Sequence, residues 1–210
     1  MATNLKGTRE YRRISASGLK VTARDDGGKE KPVVEGYGAL FDSEADLYWF
    51  REIIRPGAFA ETLKTADVRA LFNHDPNLVL GRNKAGTLRL REDSRGLKYD
   101  FDPPDTAAAR DVVELLRRGD VSQSSFGFRT LKDRWTFSDN PNEPALRELL
   151  EVELFDVSPV TFPAYPDTVV GIRSADDAKA LFEEARARMA EAGDRNAREL
   201  LALAEAELDD

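Results

Sequence analysis

A chain of 210 residues is long enough for one domain of about 150 residues with a single sizeable core, plus terminal extensions. It has no cysteine and one histidine, His74, which excludes a disulfide framework, a thiol nucleophile, a two-histidine relay and a structural zinc cage of the usual Cys/His kind. The net charge of −8 sits mostly in the tail, where residues 174–210 carry eleven acidic and five basic side chains, a balance of −6; with no basic stripe elsewhere, nucleic acid is not expected as a direct partner.

In chain order, residues 1–32 are polar and close on Asp25-Asp26-Gly27-Gly28-Lys29-Glu30-Lys31-Pro32, which predicts a flexible lead-in or an exposed hairpin turn. Residues 33–173 have the texture of the folded domain. Val33 to Phe41 mixes β-branched and aromatic residues with Gly36 and Gly38, as a bent strand would. Pro56-Gly57-Ala58-Phe59 followed by Glu61-Thr62-Leu63 predicts a short helical turn, and Val68 to Phe72 a strand that delivers His74 at its end. Thr87 to Leu90 and Gly96 to Phe101 alternate around a polar turn, as a hairpin does. Asp105 or Thr106 can cap a helix to about Arg118, with Val112, Leu115 and Leu116 inward and Gly119 as its stop. Val121 to Thr130 and Leu149 to Thr161 read as strands, with a loop at 139–144 between them. This order predicts an α+β, mainly β fold: a curled sheet or β-barrel with surrounding helices. Residues 174–210 form an acidic helical tail, with Ala178, Leu181, Phe182, Ala185 and Met189 at helical spacing and Gly193-Asp194 as an expected interruption. Neither a bilayer-spanning run nor the apolar stretch of a signal peptide appears, so the expected location is the cytosol of the cell that makes the chain.

Three places can carry chemistry. Ala70, Phe72 and His74 share strand parity, which sets the imidazole at a strand end beside apolar neighbours. Gln123-Ser124-Ser125-Phe126-Gly127-Phe128 offers two hydroxyls, either of which needs a base within reach and backbone donors for an oxyanion. Gly-x-Ser-x-Gly is absent, against an α/β-hydrolase elbow. In Glu151-Val152-Glu153-Leu154-Phe155-Asp156, strict alternation puts Asp156 with Val152 and Leu154 on the apolar face, where a carboxylate needs a partner such as an imidazole. Glu153 falls on the other face.

Taken together, Gly36-Tyr37-Gly38 with Phe41, Pro56-Gly57-Ala58-Phe59, Phe72-Asn73-His74-Asp75 with Gly81-Arg82, Ser125-Phe126-Gly127-Phe128 and Asp156-Val157-Ser158-Pro159-Val160-Thr161-Phe162-Pro163-Ala164 resemble the tailed-phage prohead maturation proteases of the HK97 type, over about residues 33 to 172. The resemblance implies a serine endopeptidase, related in fold to the herpesvirus assemblins, that works without a cofactor inside an immature capsid in the bacterial host. Its implied partners are the major capsid protein and the scaffold precursor, together with itself as a substrate and as a dimer. By the same resemblance His74 is the general base and Ser125, which directly precedes the aromatic-Gly-aromatic stretch, the nucleophile, with Ser124 the alternative. The herpesvirus relatives use a second histidine, which this chain lacks; Asp156 takes the third place, with Glu153 or a bare dyad as alternatives. Backbone amides near Gly127 or the Gly81-Arg82 loop are the expected oxyanion donors. A non-catalytic assembly protein of the same fold is the rival reading.

Overall fold

The computed structural model describes residues 9–14, 18–138, 140, 143–162 and 175–206. Along them run β1 (Glu10–Ile14), β2 (Lys20–Asp25), β3 (Glu30–Leu40), β4 (Ala45–Asp46), β5 (Phe50–Ile54), α1 (Thr62–Thr65), β6 (Arg69–Phe72), β7 (Asp75–Arg82), a 3-10 turn at Asn83–Ala85, β8 (Leu88–Glu92), β9 (Gly96–Phe101), α2 (Ala107–Arg118), β10 (Gln123–Thr136), β11 (Ala145–Val160) and α3 (Ala175–Ala206). The fold is α+β and mainly β, and its two sheets stay open rather than closing into a barrel.

β11 is the spine: it pairs on both sides, and its C-terminal end, Asp156 to Val160, is buried on both faces. On one side it pairs antiparallel with β10, which pairs in turn with β1; on the other it pairs parallel with β5 and then, further along, with β6. β4 and β7 extend that sheet at its margin, and β2-β3-β9-β8 form the second sheet. The main core lies between the two sheets and α2, with Val34, Tyr99, Phe101, Phe126, Phe128, Leu154 and Val157 fully buried or nearly so. Gly38 sits at a bulge in β3, where an added Cβ would lie 3.0 Å from Val157 Cγ1. The missing side chain lets β3 press directly on β11.

The helix boundaries follow the local chemistry. Thr106 Oγ1 accepts the Ala109 N–H at 3.3 Å, α2 buries Val112, Val113 and Leu116, and the chain leaves the helix at Gly119. Burying each of those side chains contributes about 2 kcal/mol before conformational entropy is subtracted. In the tail, α3 runs through Gly193 instead of breaking there. One glycine costs a helix only about 1 kcal/mol, too little to stop it. Ala178, Leu181 and Ala185 are buried and Phe182 packs between Trp49 and Phe137, whereas Met189, expected on the same face, is exposed.

The stretch expected as a lead-in holds two strands. β2 and β3 form a hairpin around Asp26 to Lys29, as one of the two readings has it, while β1 joins the other sheet through residues too polar to signal a strand. What makes β1 a strand is a buried charge cluster. Arg12 donates to Glu52 Oε1 at 2.5 Å and to Glu10 Oε2 at 2.8 Å, and Arg147 to Glu10 Oε2 at 2.8 Å and Glu52 Oε2 at 3.0 Å. Thr130 and Asp133 complete it. Such a cluster gives little net stability, but removing a single member leaves a charge buried alone at a cost of about 3–5 kcal/mol, so a slip of β1 that separates its members is disfavoured.

Candidate active site

The β6–β7 hairpin turns in two residues, Asn73 and His74, with Phe72 paired to Asp75 across it. Both turn residues are left-handed, with φ of 53° and 60°, the conformation that two-residue turns of this hand require. His74 is therefore not a strand residue in register with Ala70 and Phe72, as alternation predicts, but the second tip residue of the turn. Non-glycine residues pay for that backbone with roughly 1 kcal/mol or more each, and Asn73 offsets it. Its N–H donates to Pro159 O at 3.0 Å and its Nδ2 to Thr161 Oγ1 at 2.8 Å, while its Oδ1 accepts from Thr161 N at 2.9 Å. The tip of the hairpin is thus stapled to the end of β11.

That staple carries the imidazole over β10. His74 Nε2 lies 2.6 Å from Ser125 Oγ, and His74 Nδ1 lies 2.5 Å from Asp156 Oδ1. A carboxylate only accepts, so Nδ1 carries the ring proton and Nε2 presents its lone pair to the serine hydroxyl. Ser158 Oγ donates to the same Oδ1 at 2.8 Å. Ser125 has no exposed surface, Asp156 is buried, and the His74 side chain is 15% exposed.

Asp156 reaches the site for a reason that alternation misses. On β10, Ser125 and Gly127 face the site while Phe126 and Phe128 face the core. β11 matches Gly127 with Asp156 and Phe126 with Val157, but Phe128 with Leu154, so Phe155 is an extra residue in a bulge. The bulge turns Asp156 away from the apolar face of Leu154 and onto the face of Ser125. Gly127 then has a steric role: a Cβ there would lie 2.3 Å from Asp156 Oδ2 and 2.9 Å from Tyr11 Cε1.

The alternatives are placed elsewhere. Ser124 points into the core, where its Oγ is 2.6 Å from the hydroxyl of Tyr99, whose titration burial pushes well above the usual phenol range. Glu153 pairs with Arg129. The Arg82 N–H, expected as an oxyanion donor, is taken by Thr87 Oγ1 at 2.9 Å, and the Arg82 side chain by Asp67. Three contributors carry no sequence signal of their own. Ser158 lies within a recognised stretch without a visible role, Asn73 reads as a turn residue, and Tyr11, whose ring centroid is 4.3 Å from that of His74, lies in the polar lead-in. Among the described residues no group of three or more His, Asp or Glu side chains is arranged to hold a metal ion.

A hydroxyl and a carboxylate on neighbouring strands, bridged by an imidazole from a stapled turn and largely out of water, have the geometry that serine hydrolases use. Residues 17–181 match the caudovirus prohead serine protease family, and the chain belongs to that family. The matched stretch contains His74, Ser125 and Asp156 but not β1. Among solved structures, the capsid assembly protease of bacteriophage T4 is similar, with a TM-score of 0.43 at 9% identity over 73% of this chain and 99% of that one. No curated protein matches the chain.

Proposed function

We propose that the chain is a serine endopeptidase of prohead maturation in which Ser125 is the nucleophile, His74 the general base and Asp156 the group that orients the base. The observation that carries this reading is the single imidazole held 2.6 Å from one hydroxyl and 2.5 Å from one carboxylate oxygen. In the first step Nε2 takes the Ser125 proton as Oγ attacks a peptide carbonyl, and the Nδ1 proton stays on the ring, bonded to Asp156. The imidazolium then returns its proton to the leaving amine, and the same base activates water to hydrolyse the acyl-enzyme. A positioned base is worth about 10²–10⁴-fold. Because Ser125 is fully buried, a peptide carbonyl reaches Oγ only once the side chains packed over it give way.

The proposed substrates are the scaffold and major capsid precursors, and the chain itself, cut inside the immature prohead in the bacterial host; self-association is part of this reading. α3, docked by Phe182 and Leu181, is the proposed handle for entry into the shell. Co-expression with the capsid and scaffold precursors tests the reading by mass spectrometry of the products. Wild type yields trimmed precursors, and Ser125→Ala and His74→Ala leave them whole. Trimming that survives Ser125→Ala overturns it.

A further inference from the structure

β1 ends at Ile14, ahead of the family-matched stretch that begins at residue 17, yet it forms one wall of the site. It pairs antiparallel with β10 so that Tyr11 stands opposite Gly127 and Arg13 opposite Ser125. Alternation divides its side chains: Glu10 and Arg12 enter the buried charge cluster, while Tyr11 faces the site. The Tyr11 ring is inclined 56° to the His74 ring at a centroid distance of 4.3 Å. Its edge atom Cε1 and Asp156 Oδ2 both crowd the same point above Gly127. Just ahead of the strand, the Arg9 guanidinium lies 4.3 Å from the centroid of Phe155, the bulge residue that turns Asp156 inward.

We propose that Tyr11 is a positioning residue of the active site, whose ring holds the His74 imidazole in the plane where it meets both Asp156 and Ser125 and keeps water off the His74–Asp156 bond. This rests on His74 being the general base. Two observations favour such a part. His74 is borne by a two-residue turn rather than by a strand, so its ring needs a wall that the hairpin cannot supply. Asp156 Oδ2 is buried with no hydrogen-bond partner among the described residues, and water admitted there would hydrate it and compete for the carboxylate. An aromatic edge carries partial positive charge, so it suits a carboxylate oxygen better than an aliphatic side chain does. The charge cluster on the opposite face of β1 supplies the rigidity, since a five-residue edge strand without an anchor would fray.

The experiment uses the full chain and exploits its single histidine. In proton NMR, the deshielded ring N–H of His74 reports the His74–Asp156 bond without any substrate. The signal is expected in wild type, in Ser125→Ala and in Tyr11→Phe, and is expected to broaden into the solvent in Tyr11→Ala while the amide spectrum stays folded. In precursor cleavage, Tyr11→Ala is expected to lower kcat by about 10- to 100-fold with KM changed less than about twofold, and Tyr11→Phe to restore it. If Tyr11→Ala does not fold, Tyr11→Leu, which keeps the bulk without the flat ring, is read in the same way. A ring N–H as sharp in the folded variant as in wild type overturns the proposal, as does a loss carried by KM alone. Failure of the proteolytic reading shows separately, as cleavage that survives Ser125→Ala, while the NMR comparison stands by itself.

Discussion

At the scale of single residues, the site depends on atoms that are absent as much as on those present. Gly127 is two residues past the proposed nucleophile, on the same face, and its missing Cβ makes room for Asp156 Oδ2 and the Tyr11 ring edge. Gly127→Ala would place a methyl 2.3 Å from that oxygen, well inside contact distance, and backbone on both sides fixes the strand. The carboxylate has to yield. We expect Gly127→Ala to lower kcat by about 100-fold through displacement of Asp156, with an overpacking cost of about 1–3 kcal/mol in stability. Cleavage kinetics and denaturant midpoints measured on the same preparation check both numbers. Ser158→Ala removes one of the two donors on the Asp156 carboxylate and is expected to cost about 1.5–3 kcal/mol of stability, read from the same denaturant midpoints.

At the scale of elements, the decisive pieces are a turn and a bulge, and both separate what the sequence shows from what it hides. The hairpin β8–β9 and helix α2 with its Thr106 cap were legible because their signals are local: alternation, a capping hydroxyl, a stopping glycine. His74, Ser125 and Asp156 stood out in the sequence, yet the parity argued for two of them does not hold. The two-residue turn takes His74 off its strand, and the bulge at Phe155 reverses the face of Asp156. A bulge is set by pairing with a distant strand, so no window of sequence around Asp156 contains it. β1 carries no local signal for the same reason, since Glu10 and Arg12 meet their buried partners Arg147 and Glu52 from distant parts of the chain; β5 buries Phe50, Ile53 and Ile54 but is too short, and too broken by Arg51-Glu52, to show alternation. The turn can be tested as an element. Asn73→Gly keeps the left-handed backbone but loses the bonds to Thr161, whereas Asn73→Ala loses both. Activity should fall in the order wild type, Asn73→Gly, Asn73→Ala, with thermal stability falling by about 1 kcal/mol and then by about 1 kcal/mol more. Equal loss in the two variants would mean that the staple alone sets the position of His74.

At the scale of the whole molecule, the order of the proposed site and global stability are joined through the charge cluster, which ties β1 to β5, β10 and β11. Burial raises the Glu10 pKa, but the charges of Arg147 and Arg12 and the bonds from Arg147 and Thr130 outweigh it and hold the carboxyl at about 2, below its ordinary 4.5. A group whose folded pKa is depressed stabilises the fold fully above its unfolded value and loses that contribution as pH falls through the folded one. Denaturant stability should therefore decline as pH drops from about 4.5 toward 2, by on the order of 3 kcal/mol from this group. Glu10→Gln, less stable at neutral pH, should show a flatter profile in that window.

Whether Ser125 is the nucleophile activated by the only imidazole in the chain is decided by mapping a serine-directed phosphonate adduct by peptide mass spectrometry after prolonged incubation. One adduct is expected, on Ser125, absent from His74→Ala and retained in Ser124→Ala. An adduct on Ser124, labelling that does not need His74, or no adduct on the folded wild-type protein would contradict it.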